Sequence, residues 1–165
     1  MDPILFGTLV RVVPKDRELG GLLRGGHGNL DTSDISSVEL VAGPRCIEDD
    51  GRHSSVCRVT LPHALPTDRR FHTHPKANRP SSVDLASARV AVDDWVVSPL
   101  GVWTHRLNPS WRTLTSAARQ RETLHWKLLG ALLQKRLQTG CLKAASEFCD
   151  GLGPHAVATF TPTST

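Results

Sequence analysis

Two histidines one residue apart, His72 and His74, followed ten residues after the second by Asp84, form a set of side chains that can share one metal ion. On a strand running from Arg69 to His74 both imidazoles project from one face, because side chains alternate across the pleat. Pro75 ends that strand, and the loop through Pro80 can bring Asp84 back from the first turn of a helix to supply an oxygen ligand. Two nitrogens and one oxygen leave a fourth tetrahedral position for water, the arrangement of a catalytic rather than a structural zinc. Zinc lowers the pKa of its water to about 7, and hydrolysis then needs a base that takes the proton and passes it to the leaving amine. Glu18 is the candidate. It opens ELGGLLRGG, a run of small and apolar residues suited to a buried strand, where a carboxylate is costly unless something uses it.

The elements that must position these groups can be read from hydrophobic period and turn signals. Strands are expected near Glu18 to Leu23, Ser36 to Val41, Ser55 to Leu61, Arg69 to His74, Trp95 to Ser98 and Val102 to Arg106. A helix is expected from Ser81 to about Val92, with Ser81 as its cap and Asp84 near the positive end of its dipole. Capping and catalysis are compatible roles for this pair. A longer helix is expected from about Arg112 to Gln138, with Leu124, Leu128 and Leu132, joined by Leu129, Leu133 and Leu137, as one broad apolar face. Gly130 inside it costs roughly 1 kcal/mol relative to alanine, so packing must hold that turn. Gly140 stops the helix, a short one through Leu142 to Cys149 follows, and Gly151 and Gly153 end that. The chain divides into a domain over residues 1–150 and a C-terminal tail over 151–165.

Glu-x-Gly-Gly-x-Leu-x-Gly at Glu18 to Gly25, followed by His-x-His-Pro at His72 to Pro75 and Pro-Ser-x-x-Asp at Pro80 to Asp84, resembles the JAMM signature of the JAB/MPN metalloprotease family. Asp94 to Leu107 also resembles the paired strands that follow that signature, so the likeness covers roughly Pro3 to Leu107. It implies a single α/β domain of the JAB/MPN, cytidine-deaminase-like type, with a central mixed β-sheet flanked by helices. It further implies one zinc per chain held by His72, His74 and Asp84, with Glu18 as general base and acid and Ser81 stabilising the oxyanion. The implied activity is that of an isopeptidase removing ubiquitin or a ubiquitin-like protein, in a compact prokaryotic or viral-like form. Nine residues lie between His74 and Asp84, one fewer than is usual in the family, while the Pro-Ser-x-x-Asp unit is intact. Two other readings are a non-catalytic MPN or RadC-like scaffold, associated with DNA, and a phage-tail-like peptidase of cell-wall peptides. Intact Glu18 and Ser81 argue against a scaffold, which has no need of a base beside a metal.

Composition frames the site. The chain has 165 residues, 39% hydrophobic and 22% charged, enough for one well-cored domain and short for two. MDPILFGTLVRVV has the pattern of neither a secretory signal nor a membrane span. Cys46, Cys57, Cys141 and Cys149 show no Cys-x-x-Cys pairing, so a reduced cytoplasmic or nuclear setting is expected, inside the host cell for a viral form. Cys46 and Cys57 can face each other across a hairpin. His27, His53, His63, His105, His125 and His155 are scattered, with surface or hydrogen-bonded roles as the default. A net charge of +4 without a lysine-rich run or tyrosines leaves nucleic-acid binding open through phosphates but not favoured, and it suits an acidic partner protein equally. The long helix either covers the sheet or pairs with a second copy or an MPN partner, with Trp111 and Trp126 as interface or core residues. No membrane partner is expected.

Overall fold

In the computed structural model the described residues are 13, 17–24, 37–45, 59–61, 63–66, 68–75 and 79–163. The β-branched and leucine-rich runs form strands β1 (Arg17–Arg24), β2 (Ser37–Arg45), β3 (Arg69–Thr73), β4 (Asp94–Ser98), β5 (Gly101–Leu107) and β6 (Ala156–Pro162). Helix α1 (Ser82–Ala86) lies between β3 and β4. A 3-10 turn (Pro109–Thr113), α2 (Ser116–Gln138) and α3 (Leu142–Asp150) lie between β5 and β6. The six described strands form one sheet in the order β2-β1-β3-β4-β5-β6. Only β3 and β4 run parallel, and a parallel pair needs a crossover, which the segment carrying α1 supplies. The protein is therefore α/β with a mixed sheet.

Strand register explains where the site sits. Gly20 of β1 lies opposite His72 of β3, His72 beside Val96 of β4, Val96 opposite Trp103 of β5, and Trp103 opposite Phe160 of β6. Paired residues share a face, so these five form one row across the sheet. On that face Leu85 of α1, Trp126, Leu133 and Leu137 of α2, and Ala144, Ala145 and Phe148 of α3 pack with Val96, Trp103, Ala156 and Ala158 into one buried cluster. Each large side chain so buried contributes about 1.5–3 kcal/mol. Phe71, Trp95, Val97 and Val102, which point to the other face, are buried as well, so β4 is covered on both sides.

Several expectations need correction. The first helix ends at Ala86 rather than near Val92. Ser87 caps it with its hydroxyl bonded back to the Val83 carbonyl, and residues 89–91 turn away to exchange backbone bonds with Leu107. The long helix begins at Ser116, with Thr115 as its side-chain cap, because Pro109 starts a separate 3-10 turn that contains Arg112. Residues 156–162 are no tail: β6 pairs antiparallel with the whole of β5 and buries Ala156 and Ala158. Thr and Val at alternating positions supplied that signal. The expected six-leucine face is split, for Leu133 and Leu137 are buried while Leu124, Leu128 and Leu132 are 54%, 61% and 80% exposed. These three leucines line the side of α2 that faces away from Trp126, Leu133 and Leu137. Trp111 and Trp126 are core residues, stacked with ring centroids 5.3 Å apart. The expected strand Ser55 to Leu61, the Cys46–Cys57 hairpin, His27, His53 and the residues before Val13 lie wholly or mainly outside the described residues, and 59–61 are not in a strand. No described helix is long and apolar enough to cross a membrane.

Candidate metal centre

The end of β3 and the start of α1 bring the expected ligands together. His72 is the fourth residue of β3 and His74 follows its last, so both rings leave the same face. Their Nε2 atoms stand 2.9 Å apart. Asp84 reaches them from the third position of α1, with one carboxylate oxygen 3.3 Å from His72 Nε2 and the other 3.3 Å from His74 Nε2. One ligand atom from each of the three lies within 4.8 Å of the others. Tetrahedral ligands at zinc distances stand about 3.3 Å apart, so the His–His separation and the closer His–Asp separations are near that spacing.

Capping holds Asp84 there. Ser81 accepts a hydrogen bond at Oγ from the Asp84 N–H (3.1 Å), while Asp84 Oδ2 accepts one from the Ser81 N–H (2.7 Å). This reciprocal box fixes the carboxylate against the first turn. Ser81 is therefore beside the cluster as its helix cap, and the bond it accepts does not use its own hydroxyl proton.

A second contact fixes the orientation of His74. Its Nδ1 lies 2.9 Å from the backbone carbonyl of Arg79. A carbonyl can only accept, so Nδ1 carries the proton, and in the neutral ring Nε2 presents its lone pair to His72 and Asp84. Two ring nitrogens 2.9 Å apart then need a proton or a metal ion between them. This donor set of two imidazoles and one carboxylate, with the outer nitrogen of one ring anchored to a carbonyl, fits zinc.

Charge follows burial and contact. Burial pulls the His72 pKa down, but the hydrogen bond and charge of Asp84, with smaller contributions from Glu18 and Asp94, outweigh it and leave it raised. Burial alone would push Asp84 up; hydrogen bonds and charge from His72 and His74 instead hold it well below the usual carboxylate range. The site thus keeps an ionised carboxylate in a nearly enclosed position.

Glu18 lies on β1, two residues before Gly20, and so shares the face of His72. It is 4% exposed, and its Oε2 accepts a 3.4 Å hydrogen bond from the Val59 N–H. Gly20 makes that possible. A Cβ there would come within 2.3 Å of the Leu61 side chain and 2.8 Å of that of Val59, so the absence of a side chain at Gly20 leaves the space these two side chains occupy.

Two residues near the cluster were not singled out by the sequence. Arg79 supplies the carbonyl to His74. His105, expected to be surface or hydrogen-bonded, is 2% exposed, and its Nδ1 has no hydrogen-bond partner. Its place on β5, opposite Asp94, buries it, and desolvation lowers its pKa to about 4. The alternation of Trp103, His105 and Leu107 along one strand face was the available signal. Compared with protein-family models, curated proteins and solved structures, the chain matches none.

Proposed function

We propose that this chain is a zinc-dependent isopeptidase of the JAMM type that removes ubiquitin or a ubiquitin-like protein from its conjugates. The observation that carries the reading is the convergence of His72, His74 and Asp84 on the sheet face that also bears the buried Glu18. The substrate class rests on the resemblance of the Glu18 to Gly25, His72 to Pro75 and Pro80 to Asp84 segments to the JAMM signature. A zinc ion held by the three ligands would polarise the scissile carbonyl and acidify a water. Glu18 would take the proton from the attacking water as the water oxygen bonds to the carbonyl carbon, and would return it to the lysine amine as the C–N bond breaks. Burial of Glu18 among the 59–61 segment and β1 keeps bulk water from competing for that proton. The Ser81 hydroxyl, carried by the same turn as Asp84, donates to the oxyanion.

The deciding experiment measures zinc in the purified protein and hydrolysis of ubiquitin chains and ubiquitin-like fusions by wild type and Glu18→Gln. About one zinc per chain, cleavage by wild type alone, and loss of cleavage with a zinc chelator but not a thiol alkylator are expected. A folded protein without zinc, or equal turnover by Glu18→Gln, overturns the proposal. Cleavage of cell-wall peptides instead would move the activity to that substrate, and DNA binding without any hydrolysis would favour a scaffold. Ser81→Ala should keep its metal and lose roughly 10²-fold in turnover.

A further inference from the structure

Gly130 sits in the middle of α2, where glycine weakens a helix, and it is buried. A Cβ at that position would lie 2.2 Å from Arg79 Cζ and 2.6 Å from both Nε and Nη1. The missing side chain is thus the space that the Arg79 guanidinium occupies. Once there, Arg79 Nε donates to Gln134 Oε1 (3.2 Å), Nη1 donates to the Pro80 carbonyl (3.2 Å), and Cζ lies 5.9 Å from the centre of the Phe148 ring. Contacts from α2, from α3 and from the residue just before Ser81 all hold this one side chain. Its backbone carbonyl is the acceptor for His74 Nδ1.

We infer that Arg79 is a positioning residue for the metal centre: its side chain, locked in the space left by Gly130, holds the carbonyl that orients His74. The inference rests on the reading of His72, His74 and Asp84 as metal ligands. Without the guanidinium contacts the residue 79 carbonyl loses its tether to the helices, and His74 can then carry its proton on either nitrogen. A ring with the proton on Nε2 has no lone pair for the metal. Gln134 and Phe148 act at one remove, through Arg79. The fit also assigns a purpose to a glycine that the helix itself does not want.

The test is a double-mutant cycle on the full chain with Gly130→Ala and Arg79→Met, the second of which keeps an unbranched side chain and removes the donors. Zinc affinity is measured by competition with a chromophoric chelator, and the ring 15N shifts of His74 are measured in the metal-free protein. Folding is checked by circular dichroism. Each single variant should bind zinc about 10–100-fold more weakly, the range for loss of an outer-shell partner, and the double variant should be no worse than either. The wild-type His74 spectrum should show a single tautomer protonated at Nδ1, and the variants a mixture. Unchanged affinity and tautomer in a folded Arg79→Met protein overturn the inference, as do effects that multiply in the double variant. Should Gly130→Ala fail to fold, Arg79→Met alone decides by the same two measurements. A wild type that binds no zinc would refute the metal reading, while the tautomer measurement would still decide whether Arg79 orients His74.

Discussion

Asp84, partly buried on α1, and Asp94, buried on β4, are two carboxylates with opposite company. Asp94, at the start of β4, is held between the guanidinium groups of Arg70 and Arg89, the latter 2.8 Å away, and Arg89 also bonds the Asp68 carbonyl at 2.7 Å. Asp84 faces two imidazoles. Guanidinium groups have no lone pair to offer a metal, so the Asp94 cluster, with its one carboxylate between two of them, can only brace β3, β4 and the end of α1. Imidazoles can shed their protons and offer lone pairs, so the Asp84 cluster can exchange protons for a metal ion. The neighbouring histidines register the difference. His72 has a raised pKa beside Asp84, whereas His105 falls to about 4 although it lies opposite Asp94, since desolvation outweighs the attraction of a carboxylate already matched by two arginines. Partner chemistry, more than burial, separates a brace from a site.

Exchanging the two carboxylates' roles in experiment gives the largest expected effect. Asp84→Ala should lose zinc by well over the about 10–100-fold of an outer-shell change, with the fold retained in circular dichroism. Asp94→Asn should do the reverse: zinc content by elemental analysis stays the same, while urea denaturation shows a loss of about 3 kcal/mol, the low end for a broken buried pair because both arginines are partly exposed. Retained zinc in Asp84→Ala, or lost zinc in a folded Asp94→Asn, would collapse the distinction.

His105 sharpens it through pH. Its folded pKa of about 4 lies below the 6.5 of an ordinary histidine, so on acidification the unfolded chain takes up its proton first. The contribution is therefore full above about pH 6.5 and is lost progressively as the pH falls towards 4. Between pH 7 and pH 5 the wild type should lose about 2 kcal/mol more than His105→Gln in paired urea titrations. Parallel pH profiles would mean that the imidazole is not held neutral.

The smallest effect concerns the two sides of α2. Leu133→Ala should cost about 2–5 kcal/mol, as emptied core positions do, and Leu128→Gln no more than about 0.5 kcal/mol. A large loss at Leu128 in thermal or urea melts would show that its side of the helix is covered in the intact protein.

The candidate metal ligands are legible in the sequence because each belongs to a short segment whose local geometry is nearly fixed. Alternation sets His72 and His74, and the Ser81 cap sets Asp84. The strands around them followed from period-two patterns for the same reason. Tertiary choices were less accessible. Leu124 and Leu133 are nine residues apart and stand on opposite sides of the helix, each within its own row of leucines, and only the surface beneath decides which row is buried. The period-two signal of β6 is faint because its two alanines are small and its threonines polar, and its place follows from the long partner β5. The sequence marks Gly130 as a cost to its helix; that Arg79 fills the space depends on a contact 51 residues apart in sequence.

Prolines at the margins of the sheet carry a last consequence. β2 and β6 are the outermost described strands, and each contains a proline near its end, Pro44 and Pro162. A proline offers no N–H, so it interrupts the row of donors that an edge strand would present to a second molecule. Each described margin therefore lacks one donor near the end of its strand, while the His72–His74–Asp84 cluster lies two or more strands away from either margin, at the end of β3 near the middle of the sheet.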